Sequence, residues 1–281
     1  MHARLWRQRR RLILTFMLCA CAGWIAFAGA PFDRMLQALL FGCIGLAATA
    51  LALVALPETR WFLFKAAVIA PVLAFLSTLL PGWIMVTLAL ITLAMLPSQP
   101  WVLDRVRLPG VFRSRKQARI GLDRQTLWSK VFPKETNDHW DPYVRGIRPG
   151  RSQDTFFLVY EALSNAGELQ IPIKVFDVES ETHFKTRDLS QPNAAQGGPV
   201  IVTSHVIEAN GSDSTLTLME ATWRPMLWTT FSQWLDDYLG DHTDRMAALL
   251  EGRRDWSLKG ASLRSLTERT RSSGYQILQK T

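Results

Sequence analysis

Cysteine is nearly absent: Cys19, Cys21 and Cys43 are the whole complement of a 281-residue chain, and all three sit inside apolar runs. Neither a disulfide framework nor a cysteine-built zinc site can be assembled from them, which fits a reducing compartment. Acids are equally scarce over residues 1–101, where Asp33 and Glu58 stand against eight Lys and Arg. The chain contains no G-x-S-x-G, H-E-x-x-H, C-x-x-C or G-x-x-x-x-G-K-[ST] motif. The chemistries those spacings serve therefore have no support in the sequence. A basic stripe on the C-terminal part is missing too. The net charge of +8 divides into +6 over residues 1–101, +5 over 102–124 and −3 over 125–281. Nucleic acid is not an expected partner on that distribution.

What the first third has instead is length of apolar sequence. Four runs, about 12–30, 35–56, 61–80 and 82–101, are separated by short polar breaks at Pro31–Arg34, Pro57–Arg60 and Pro81-Gly82. About 20 apolar residues cross the hydrocarbon of a bilayer, so the expectation is a transmembrane anchor over residues 1–101. The first run is too long, and has too many successors, for a cleaved signal peptide. Trp61, Trp83 and Trp101 fall near run ends, as an aromatic belt places them, and basic clusters before run one and after run four assign both ends to the cytoplasmic side. The expected setting is an integral membrane protein, of the bacterial inner-membrane type, with the N-terminus and the C-terminal domain cytoplasmic. No acid or base lies mid-span, which argues for an anchor over a transporter. Ala22, Ala26 and Ala30 form a small-residue stripe suited to helix packing, and Pro71 is positioned to kink the third helix.

Residues 102–255 read as a soluble α+β domain with a basic juxtamembrane start. The patterning predicts a strand near Ser114–Leu122, a helix over Arg124–Phe132 capped by Asp123, and a turn near Asn137–Trp140. Strands rich in β-branched and aromatic residues follow at Thr155–Leu163, Ile171–Val178, Thr182–Asp188, Val200–Ala209 and Thr215–Trp223, as an antiparallel meander. A single long helix then runs from Pro225 to a stop at Gly252. Residues 256–281, rich in Ser, Thr, Arg and Lys, read as a flexible basic tail.

That order, with Leu127-Trp128-Ser129-Lys130-Val131-Phe132-Pro133, Trp140-Asp141-Pro142 and Ala221-Thr222-Trp223-Arg224-Pro225, resembles the START-like superfamily (SRPBCC) and its helix-grip fold over roughly residues 112–255. The resemblance implies a cavity between a curved antiparallel sheet and the long C-terminal helix, of the kind that holds lipids, sterols, quinones or polyketides. It implies no invariant catalytic motif.

The candidate cavity residues are Tyr160, Asp177, His205, Glu220, Trp228, Phe231, Trp234 and His242. His242 sits on the apolar face of the final helix, where a histidine binds a polar ligand head, moves a proton or is simply hydrogen-bonded core. Asp177 shares a strand face with Ile171, Ile173 and Val175, and Glu220 shares one with Leu216 and Leu218; acids there find partners, shift their pKa or end in water. Ser204 alternates away from His205, so the two form no dyad. The aromatics serve as pocket lining or core.

The function read from this is a membrane-anchored protein binding a lipid-like hydrophobic small molecule. A membrane-tethered interaction module recruiting a protein partner is the alternative. A cyclase- or hydrolase-type enzyme on an apolar substrate is the third reading. Neither a cofactor nor a metal is expected.

Overall fold

The computed structural model describes residues 2–27, 29–55, 59–80, 104–134, 139–160, 169–189 and 198–261. It divides into two compact units, one of residues 1–105 with 234–237, the other of residues 106–233 and 238–281.

The first unit holds α1 (His2–Arg7), α2 (Arg9–Ala26), α3 (Pro31–Ala55) and α4 (Arg60–Ser77), with α2 packed against both α3 and α4. α3 and α4 are long and apolar enough to cross a membrane, by length and composition. Most of their large apolar side chains, Leu36, Leu40, Ile44, Leu51, Val68, Val72 and Phe75 among them, point outward. The helices meet closely at glycines, and of the expected alanine stripe only Ala22 is buried. A Cβ on Gly42 would lie 2.8 Å from the Phe16 ring, and one on Gly45 would lie 2.5 Å from the Cys19 sulfur. Ala26 and Ala30 are exposed. Close approach is worth more than side-chain area where helices share an apolar surround. α4 continues through Pro71. Arg11 is fully buried in this unit; it donates to the Asp236 carboxylate and to the Arg60 carbonyl (3.0 Å), and its guanidinium lies 4.1 Å from the Trp61 ring centre. The apolar run at 82–101 lies outside the described residues.

The second unit is α+β. β1 (Val111–Ile120) is followed by α5 (Arg124–Val131), then β2 (Val144–Pro149), β3 (Thr155–Tyr160), β4 (Leu169–Glu179), β5 (His183–Asp188), β6 (Val200–Asn210) and β7 (Asp213–Trp223), and finally α6 (Leu227–Asp236), whose last residues from Trp234 group with the first unit, and α7 (Tyr238–Leu250). Among the described residues the strands form one antiparallel sheet in the order β1-β7-β6-β5-β4-β3-β2. Asp123 caps α5 as its sequence position predicts, accepting from the Thr126 amide at 2.9 Å. Gly252 takes φ +66°, and the amides of Gly252 and Arg253 return to the carbonyls of Leu249 and Ala248, the paired bonds of a Schellman stop.

Three features depart from the pattern reading. The segment VRGIRP is a strand, β2, hidden from sequence by its Gly, Pro and two Arg. The single long helix is two, because Asp237 adopts φ +48°, a left-handed conformation that Asp tolerates better than most residues. The chain after 255 is packed rather than loose as far as it is described: Asp255, Ser257 and Leu258 are buried, and the Asp241 carboxylate accepts from the Leu258 amide at 2.9 Å. The predicted turn at Asn137–Trp140 and the strand end at 161–163 fall partly or wholly outside the described residues.

Strand pairing sorts side chains onto two faces, since residues directly opposite in an antiparallel ladder point the same way. Ala118, Ile120, Leu216, Leu218, His205, Ile207, Phe184 and Val175 share the inner face. They form the core with Leu127, Trp128 and Val131 of α5 and Leu239, Met246 and Ala247 of α7.

Candidate functional site

The inner face is not uniformly sealed. Its half under α5 and α7 is dry: Ile120, Leu127, Leu216 and Leu218 are fully buried, and Phe184 and Ile207 nearly so. Continuing along the same strands toward their other ends, several inward positions are half-buried, Phe112 and Ser114 on β1, Glu220 on β7, Ile201 and Thr203 on β6, Thr186 and Asp188 on β5, and Leu158 and Tyr160 on β3, while Thr222, Ile173 and Ile147 among them stay buried.

The polar groups are unevenly placed. At the boundary of the dry half, His205 stacks on Phe184 with ring centres 4.3 Å apart and planes 2° from parallel. His242 stands between Trp140 (5.4 Å, edge-on) and Tyr238 (6.3 Å, parallel). Burial pushes both imidazoles down to about 3, helped at His205 by the charge of His183 and at His242 by Lys259, Arg245 and His205. Both rings are neutral at ordinary pH, and their Nδ1 atoms have no hydrogen-bond partner among the described residues. Burial raises the Glu220 carboxyl above the usual carboxylate range. It raises the Tyr160 and Tyr238 hydroxyls as well, with Asp141 adding to the effect at Tyr160 and Glu220, Asp241 and Asp188 adding to it at Tyr238. Yet Tyr238 keeps 40% of its surface accessible, and His242, Tyr160 and Glu220 are only half-buried by area.

Beside these groups lies a buried ion pair. Arg245 donates through both terminal nitrogens to Asp141, each bond 2.8 Å, and its Nε is 3.5 Å from Asp255. Burial alone would raise the Asp141 carboxyl and lower Arg245. The hydrogen bonds and mutual charge overcome this, so Asp141 sits below its ordinary value and Arg245 above.

Of the candidate residues, Tyr160, His205 and Glu220 lie on the inner face, and His242 lies on the face of α7 that also carries Leu239 and Met246. Trp228 and Phe231 are half-buried on α6 with ring centres 6.0 Å apart. Two stand elsewhere. The alternation that would turn Asp177 inward is broken by a bulge in β4, where Asp177 adopts φ +53°; it is exposed and ion-paired with Lys185, whose side chain belongs to the outer face. Trp234 belongs to the first unit, under the Arg10 guanidinium at 4.9 Å.

No family model and no curated protein matches the chain. Solved structures do align with it. Ara h 8.0201 does so at 10% identity and a TM-score of 0.38, over 51% of this chain and 97% of its own. XoxI from Bacillus cereus aligns at 12% and 0.38, over 50% and 94%. Norcoclaurine synthase from Thalictrum flavum aligns at 11% and 0.31, over 50% and 92%. At these identities and scores neither ligand nor activity transfers.

Asp141, Arg245 and Tyr238 were not among the sequence candidates. Asp141 precedes a proline and reads as a turn residue, Arg245 reads as a solvated helix position, and nothing local announces that they pair across 104 residues.

Proposed function

We propose that this protein is a membrane-anchored carrier or sensor whose soluble unit binds a hydrophobic small molecule in the half-open half of the inner sheet face. The observation that carries the reading is the change along one continuous face from fully buried Leu216 and Leu218 to half-buried Ser114, Thr203, Glu220 and Tyr160, beside Tyr238 and His242, which are both desolvated and accessible. A cavity that is mostly apolar with a few polar groups is the usual form of a small-molecule site. A neutral His242 and a Glu220 carboxyl whose pKa burial raises offer hydrogen bonds to one polar end of such a ligand. Membrane anchorage draws support from α3 and α4, which are apolar, long and outward-facing in their large side chains. The cytoplasmic placement of both ends rests on the Arg and Lys distribution, and protease protection in oriented vesicles tests it.

The test of binding uses the full chain, purified in detergent and analysed for small molecules before and after denaturation, beside the Thr203→Trp variant, which fills the half-open region. A stoichiometric apolar species released by the wild type only on denaturation, and missing from the variant, supports the reading. The same lipid mixture from both proteins refutes it.

A further inference from the structure

The outer face of the sheet carries a second concavity, of about 610 Å³, bordered chiefly by Arg113, Arg115, Phe176, Val202, Met219 and Trp223, with Ser114 and Glu220 also reaching its lining. Register places the first six opposite the core. Arg115 pairs with Met219, Arg113 with Ala221, Ser204 with Met219 and Lys185 with Ser204, all on the face away from Leu216 and Leu218. The volume lies within the range of small-molecule sites, about 300–1,000 Å³.

The floor is apolar, from Phe176, Val202, Met219, Ala221 and the 41%-exposed Trp223. Its charged lining residues are Arg113, Arg115 and Lys185 together with one acid, Glu220, whose side chain belongs by register to the inner face. Lys185 is engaged by Asp177. Arg113 and Arg115 have no ion pair among the described residues. They project from the same face of β1 two residues apart, about 7 Å along the strand. Cations on an edge strand serve to discourage sheet-to-sheet pairing, and β1 is an edge. That accounts for the charge but not for an apolar floor beneath it. Ser204 adds a polar fixture: its hydroxyl is hydrogen-bonded to His183 Nε2 at 2.9 Å.

We propose that this groove is a second binding site, for a free single-chain acidic amphiphile, its chain on the Phe176, Val202 and Met219 floor and its carboxylate or phosphate held by Arg113 and Arg115. Guanidinium is the group best shaped for either anion. The headgroup of a lipid still seated in a bilayer would satisfy the arginines but bring no apolar surface to the floor, so a free amphiphile is the better fit. The site lies across the sheet from the inner-face site, and Ser114 and Glu220 border both.

The experiment uses the full chain in phosphatidylcholine nanodiscs, with a diazirine-tagged palmitate as probe and the tagged alcohol of equal length as control. Labels are mapped by peptide mass spectrometry. The palmitate probe is expected to label the segments containing Val202 and Met219–Trp223 and to be displaced by untagged palmitate. Labelling there should fall by about tenfold or more in the Arg113→Gln/Arg115→Gln variant, as loss of charge-assisted contacts implies. Val202→Trp, which fills the floor and leaves the arginines, should also block it. Unchanged melting temperatures in both variants exclude misfolding as the cause. Equal labelling by the alcohol, undiminished labelling in the arginine variant, or label confined to Trp228, Phe231 and the inner face overturns the proposal. Loss of labelling on adding phosphatidylglycerol to the nanodisc overturns it in favour of a bilayer headgroup.

Discussion

Replacing Arg245 with methionine removes the guanidinium shared by two buried carboxylates, Asp141 and Asp255, 1% and 7% exposed. Replacing Asp141 with asparagine leaves Arg245 still 3.5 Å from Asp255. Breaking a buried ion pair from one side costs about 3–5 kcal/mol, because the remaining charge stays desolvated. Against a domain stability of about 5–15 kcal/mol, that is a large fraction. The order of damage follows from the geometry: Arg245→Met is expected near the top of the range, Asp141→Asn clearly below it, and the apolar pair Asp141→Leu/Arg245→Met less destabilising than Arg245→Met alone. Urea unfolding of the full chain in detergent, followed by tryptophan fluorescence, gives the ranking. The pH dependence gives a second check. The folded Asp141 carboxyl lies below its unfolded value of about 3.9, so its contribution is fully present above that pH and is lost as pH falls through the lower folded value. Arg245→Met should flatten that acid limb. A cost for Arg245→Met under about 1 kcal/mol, or a larger cost for Asp141→Asn, would refute the reasoning.

The remaining predictions concern other sites. His205 and His242 are held neutral with pKa values near 3, below the unfolded value of about 6.5; the unfolded chain binds the extra protons, so stability should fall as pH drops from about 6.5 toward 3, and His242→Phe should lessen the slope of urea midpoint against pH. Phe184→Ala removes a 1%-exposed ring that touches His205, Trp128 and Phe132 and should cost about 3–5 kcal/mol by urea unfolding. Gly252→Val forces a β-branched residue to φ +66° and should cost roughly 1–2 kcal/mol, with Gly252→Asn milder, on thermal melting. The chain should stay in the membrane pellet through alkaline carbonate extraction; release into the supernatant would remove the anchor.

Much of the fold was legible in local sequence. Alternating β-branched runs located β3 to β7, Asp123 announced the start of α5 and Gly252 the end of α7, because caps and two-residue periodicity act within a few residues of the signal. β2 was not legible, since Gly146, Pro149 and two arginines hide a strand that neighbouring β3 recruits. The break at Asp237 was not legible either: Leu235 and His242 are one heptad apart in a pattern that looks continuous, and only the backbone turning left-handed separates them. For the site, Tyr160, His205, Glu220 and His242 were identifiable as polar residues on apolar faces. Asp177 was misplaced by one bulge, which inverts every facing argument beyond it.

Two things follow from sequence alone: a first third built of four apolar runs, and an α+β second part whose strands have one apolar face. Both are properties of composition and period, and solvent acts on them residue by residue. Tertiary structure decided the rest. It paired Asp141 with Arg245, left Ser114, Thr203 and Glu220 half-buried on the inner face, and set Arg113, Arg115 and Trp223 around a groove on the outer face. Each depends on which distant strand or helix lies opposite, and a local pattern holds no record of its neighbour across the sheet.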